Sequence, residues 1–196
     1  MSEILFINAC PRDAGASRTE ALCGSFFSEL KKRVPQASIR EIALRELDLA
    51  DMDQARLRQR DMAVSAGDYS APMFEQAKIF AAAEKIVIGA PYWDLCFPAR
   101  LKLYIENICV DGLTFRYTEQ GPQGLCRGRE LLYITTSGGF IGQRDFGAQY
   151  LRGLSGFLGI GGFRAVRAEG LDIQGLDAPD ILRQAAERLK EIAADF

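Results

Sequence analysis

Short apolar runs of strand length, each followed by a longer stretch of helical period, recur from one end of this chain to the other. Ile4-Leu5-Phe6-Ile7 is the first run. Beyond it, Ala21, Leu22, Phe26 and Leu30 recur at three- and four-residue steps, the spacing of one helix face. Ser17 is placed to cap that helix, with Glu20 three residues on to complete a capping box. Further strands are expected over 38–43, 85–90, 131–135 and 163–168, and helices over 73–83, 99–109, 146–158 and 178–194. Pro91 stops the third strand, and Pro98 stands where the following helix would start. The stretch 45–69 is charged and weakly periodic, and reads as a long irregular connection with one or two helical turns. Leu113 to Tyr117 alternates like a strand before the turn residues Gly121-Pro122 and Gly124, which suggests a hairpin or loop insertion. Five strands alternating with helices specify an α/β fold with a five-stranded parallel sheet and helices on both faces. A chain of 196 residues without repeats or linkers is expected to form a single domain, 1–196.

Charge and cysteine usage narrow the function. The net charge of -2 removes the electrostatic argument for a nucleic-acid partner. No helix collects a basic face, and the run 4–7, preceded by no basic leader, is too short for a signal sequence or membrane span, so no membrane partner is expected. Five cysteines, at positions 10, 23, 96, 109 and 126, make no CxxC pair. Reduced thiols and a cytoplasmic location follow from that reading. There is no histidine. A Ser-His-Asp or Cys-His unit is therefore impossible within one chain, and the chemistry must rest on other groups or a cofactor.

In an open parallel sheet, ligands bind beyond the carboxyl ends of the strands, where strand order reverses. Three loops meet at that edge. The first, Asn8 to Thr19, passes Gly15 and enters a helix N-terminus at Ser17-Arg18-Thr19, which suits a single phosphate near Arg12 or Arg18. A capped helix start with solvated arginines explains the same residues. The second, Ala90 to Pro98, sets Tyr92 and Trp93 side by side, able to flank a planar ring or to pack beneath the sheet edge. The third, Thr135-Thr136-Ser137-Gly138-Gly139, offers hydroxyls and a backbone that a ligand can approach closely, or simply a tight turn. Cys10 and Cys96 fall in the same region, and a cysteine at a helix N-terminus beside arginine can be acidic and reactive; buried spectator thiols are the other reading.

With these loops in view, the chain resembles the FMN-dependent NAD(P)H oxidoreductases of the azoreductase and quinone-reductase group. The resemblance runs from Ile4 to about Gly170, carried best by APYWDLCFPARLKLYIE (90–106), GLTFRYTEQGPQGL (112–125) and ITTSGG (134–139). It implies a flavodoxin-like three-layer sandwich and hydride transfer from NADH or NADPH through FMN to a quinone, azo or nitro acceptor. It implies that Cys10, Ser17, Arg18 and Thr19 hold the phosphate and that Pro91, Tyr92, Trp93, Asp94 and Leu95 lie along the isoalloxazine ring. Thr136, Ser137, Gly138 and Gly139 would face its pyrimidine edge. It further implies a homodimer in which Tyr117 overhangs the substrate pocket, with Tyr117 and Asp94 as catalytic candidates. Three positions depart from a common family pattern: Cys10 replaces a hydroxyl residue, Asp94 an Asn, and Ile141 a His that often follows the paired glycines. Other functional classes are an FMN-carrying electron-transfer protein that works with protein partners, and a decayed site in a regulatory or structural protein. The long 112–125 insertion favours the enzyme.

Overall fold

The computed structural model describes residues 3–12 and 14–196. Met1, Ser2 and Asp13, the last of them in the first loop, lie outside the described residues. The elements run β1 (Glu3–Asn8), α1 (Arg18–Arg33), β2 (Ser38–Ala43), α2 (Gln54–Ala66), α3 (Glu75–Ala82), β3 (Lys85–Gly89) and α4 (Ala99–Ile108). They continue with β4 (Phe115–Thr118), β5 (Gly121–Gly124), β6 (Glu130–Thr136), α5 (Phe146–Phe157), β7 (Phe163–Ala168) and α6 (Ala178–Ile192).

The main sheet has the order β2-β1-β3-β6-β7, and all four pairings are parallel. Alternating side chains explain how it is covered. Leu5 and Ile7 of β1, Ile86 and Ile88 of β3, and Leu131 and Tyr133 of β6 pack on one face against the residues of α3, α4 and α5. Ile4, Phe6, Val87, Leu132 and Ile134 point the other way, into a second core shared with α1 and α6. A strand apolar on both sides at period two can only lie inside a three-layer sandwich. From β1 the chain moves outward to β2, then returns past β1 to β3; the order therefore reverses between β1 and β3. The crevice at that switch point is where the fold leaves room for a ligand.

The structure differs from the sequence reading in the connection 45–69. Residues Gln54–Ala66 form a helix of 13 residues, capped by the Asp53 side chain, which accepts from Arg56 N, and ended at Gly67. None of its residues is fully buried. A helix without a buried stripe leaves no apolar periodicity, which is why it read as irregular. At α1, Ser17 caps as expected and accepts from Glu20 N, but Glu20 does not complete the capping box. Its carboxylate accepts from Asn8 Nδ2 instead, at 2.9 Å.

The β4–β5 hairpin stands apart from the main sheet. It packs on the C-terminal end of α5, where the Phe115 and Phe157 ring centroids are 4.6 Å apart. Gly124 lies so close to the Leu158 and Gly159 backbone that a Cβ would sit 2.0 Å from the Leu158 carbonyl carbon.

Candidate functional site

The loops after β1, β3 and β6 converge on a cleft of about 250 Å³ at the switch point. Its polar end is the start of α1. Ser17, Arg18 and Thr19 line it together with Arg12. The first intrahelical bond runs from Ala21 N to Ser17 O, so the Arg18 and Thr19 amides precede the ladder. Unsatisfied N–H groups and the helix dipole make this end favourable for an anion. Asn8, fully buried at the end of β1, fixes the loop behind it: its Oδ1 accepts from Cys10 N at 3.1 Å, and its Nδ2 donates to Glu20 and Glu41.

Thr19 and Thr136 tie the first loop to the third. Their hydroxyl oxygens are 2.7 Å apart in a buried contact. Two hydroxyls that share one hydrogen bond leave one hydrogen to donate elsewhere. Gly138 lies beside them, and a Cβ there would meet Asp172 Oδ2 at 2.3 Å, so a side chain at this position would have to displace the Asp172 carboxylate.

Pro91, Tyr92 and Trp93 supply the wall from β3. Tyr92 N donates to Thr136 O at 2.9 Å, and its hydroxyl donates to Arg144 O at 2.9 Å. Partial desolvation raises the Tyr92 phenol pKa above its ordinary value, which already leaves the hydroxyl protonated at neutral pH. Trp93 and Cys96 close a two-residue turn through paired backbone bonds of 3.0 and 2.8 Å. The central residues Asp94 and Leu95 have φ of 47° and 68°. Both angles are positive, as a type I′ turn requires; Asp tolerates that conformation, whereas Leu pays for it. The turn holds Trp93 and Leu95 exposed at 46% and 42%, which sets a broad apolar edge beside the polar end.

The structure brings together eight of the expected residues on the cleft wall: Ser17, Arg18, Thr19, Pro91, Tyr92, Trp93, Thr136 and Gly138. Asp94 and Leu95 form the tip of the adjoining turn. Cys10 faces inward at 1% exposure, with Sγ 3.8 Å from Gly89 O, and burial pushes its thiol up to about 11. It is a buried neutral thiol, which disfavours the reactive-cysteine reading. Ser137 is buried and donates to Gly139 O at 2.7 Å, bracing the third loop from behind. Tyr117 is 71% exposed on β4 and does not reach the cleft of its own chain. Gly147, in the first turn of α5, packs on Phe97 and Cys96 near the cleft, while the hairpin holds the other end of that helix. A 12-residue helix separates the two by about 18 Å.

Asp172 lines the cleft from the loop after β7 and was missed by the sequence reading. Its only signal was position: it follows the strand next to β6, at the same edge of the sheet. Ile141, one of the three departures from the pattern the resemblance implies, is 2% exposed, and its N–H donates to Glu169 at 2.9 Å. Among the described residues no cluster of His, Cys, Asp and Glu could hold a metal ion.

The donors at one end and the aromatic edge at the other fit a molecule with a phosphoryl group and a planar ring. Comparison with known proteins agrees. A family model described as flavodoxin-like fold matches residues 2–193. The chain is 38% identical over 202 residues to a protein of Clostridium acetobutylicum named FMN-dependent NADH:quinone oxidoreductase 2, with all of both chains covered. It is 35% identical to the FMN-dependent NADH:quinone oxidoreductase of Clostridium beijerinckii, again over the whole of both. Among solved structures it is similar to an FMN-dependent NADH-azoreductase from Bacillus anthracis in complex with FMN, at 28% identity and a TM-score of 0.87, covering 100% of this chain and 99% of that one.

Proposed function

This chain belongs to the flavodoxin-like fold family, and from that premise we propose how its cleft serves an FMN-dependent oxidoreductase that uses NADH or NADPH to reduce quinone or azo acceptors. The observation that carries the reading is the convergence of three loops on one cleft, polar at α1 and aromatic at Trp93. Ser17, Thr19, the first α1 amides and the arginines Arg12 and Arg18 would hold the phosphate. Pro91, Tyr92 and Trp93 would bear on the ring, with Asp94 and Leu95 at its edge and Gly138 opposite. Cys10, Ser137 and Gly139 contribute through the backbone and through the packing of their loops.

FMN held there would supply two-electron transfer between nicotinamide and acceptor, so redox chemistry needs no histidine in this chain. The protein binds and orients. The Thr19–Thr136 contact and the Tyr92 bond to Arg144 keep the loops in register. The exposed Trp93 and Leu95 side chains give an aromatic acceptor an apolar surface.

Within this reading the chain acts as a single domain, 1–196, in the cytoplasm, and pairs with a second copy. The described cysteines are all free, as a reducing compartment requires. Among the described residues no helix is long and apolar enough to cross a membrane. Tyr117, 71% exposed and not on the cleft wall of its own chain, would in such a pair be available to border the neighbour's cleft. The test is steady-state kinetics on FMN-loaded protein with NADH and NADPH against quinones and azo dyes. Turnover with small acceptors and no protein partner supports the enzyme. Flavin reduction that stalls until a protein acceptor is added would favour the electron carrier.

A further inference from the structure

One ion pair spans the polar end of the cleft. Arg18, the first residue of α1, donates from Nη1 to Asp172 Oδ1 at 2.8 Å and from Nη2 to Asp172 Oδ2 at 3.1 Å. Nη1 also reaches Leu171 O at 3.3 Å. Asp172 is anchored by its own N–H, which donates to Gly138 O at 2.9 Å, and Arg12 adds attraction nearby. The bidentate fork is the arrangement a guanidinium also offers to two phosphate oxygens. A carboxylate therefore occupies guanidinium donors on the cleft wall that could otherwise meet a phosphate.

Both partners are solvent-accessible, with side-chain exposures of 41% and 64%. Such a pair is weak and exchangeable. A phosphate that enters the cleft also meets the helix dipole and the hydroxyls of Ser17 and Thr19, none of which Asp172 is bonded to. We propose that Asp172 is a built-in competitor of the flavin phosphate for Arg18, holding the guanidinium fork until the phosphate takes it over. The proposal rests on the reading of this cleft as the FMN site. After the exchange the Asp172 charge remains close to the phosphate, so FMN is held less tightly than the donors alone would hold it. The hydrogen bonds from Arg18 keep the Asp172 pKa below the usual carboxylate value, so competition is present throughout the neutral range.

The test is a titration of FMN and of riboflavin, followed by flavin fluorescence, into wild-type, Asp172→Asn, Arg18→Gln and the double variant at low and high salt. Asp172→Asn should tighten FMN by about fivefold and leave riboflavin, which has no phosphate, within about twofold. The gain should vanish in the Arg18→Gln background and shrink with salt. Weaker FMN binding by Asp172→Asn would show that Asp172 positions Arg18 and would overturn the competitor. Equal tightening of both flavins, or no change in FMN, overturns it as well. Wild-type protein that binds neither flavin overturns the site assignment and the competitor with it.

Discussion

At residue scale the most constrained position is Leu95, a leucine at φ 68° beside Asp94 at φ 47°. A left-handed conformation costs an L-residue about 1–2 kcal/mol. Leu95→Gly should therefore raise thermal stability or leave it unchanged, despite loss of a half-exposed side chain, while raising KM for aromatic acceptors; a clear drop in Tm would contradict the strain. Asp94 sits on the same turn, and under the proposed reading a carboxylate there would disfavour further negative charge on a reduced ring. Asp94→Asn should raise the midpoint potential of bound flavin by roughly 10–30 mV, and a potential that does not rise would remove Asp94 from the electrostatics of the site. Cys10 shows the opposite environment. Its folded pKa, pushed up to about 11 by burial, stands above that of an exposed thiol, so the folded state binds the proton more tightly. Stability from this group is complete below about pH 9 and is lost as pH rises toward 11. Between pH 8 and pH 10 urea unfolding should show a loss of stability to which Cys10 contributes about 1 kcal/mol, beside Cys23, Cys109 and Cys126, whose thiols burial also raises, and Cys10→Ala should lessen the loss by that amount. The positive φ values left no mark in the sequence beyond the tolerance of Asp for that conformation, and the inward turn of Cys10 left none. Both depend on the chain's path between β3 and α4 and on the buried Asn8 behind the first loop.

At element scale the sheet was readable because β1, β3 and β6 are apolar on both sides. Lys85-Ile86-Val87-Ile88-Gly89 can be satisfied only between two helical layers. Ile88→Ala should destabilise the protein by about 2–5 kcal/mol, read by denaturant midpoint. The helix α2 was hidden for the converse reason: without a buried stripe, its evidence lies in caps rather than period. Removing the cap with Asp53→Ala should reduce amide exchange protection across 54–66 and leave the global Tm nearly unchanged. A large Tm loss would mean that α2 is integral to the core. Most of the polar end of the cleft was legible for a local reason, since a capped helix after a strand is a short-range pattern. Asp172 was not, because only the pairing of β7 with β6 carries it to the cleft from more than 150 residues away.

At the scale of the whole molecule, strand order places the cleft and α5 separates it from Tyr117. The hairpin was visible as an insertion, but its docking on the far end of α5 depends on Gly124 lying against the Leu158–Gly159 backbone. A chain that pairs with a second copy should migrate as a dimer at micromolar concentration, and Tyr117→Ala should lower kcat/KM for acceptors without altering FMN affinity. On the proposed reading, the cleft at the strand ends holds FMN for electron transfer from a nicotinamide to a small acceptor. An anaerobic single-turnover experiment tests it most directly: FMN-loaded protein is mixed with NADH, then with a quinone, while flavin absorbance is followed. NADH should bleach the flavin and the quinone should restore it in full, with both steps weakened when Ser17 and Thr19 lose their hydroxyls and FMN is released. Protein that takes up no FMN, or bound flavin that keeps its absorbance in the presence of NADH, would contradict it.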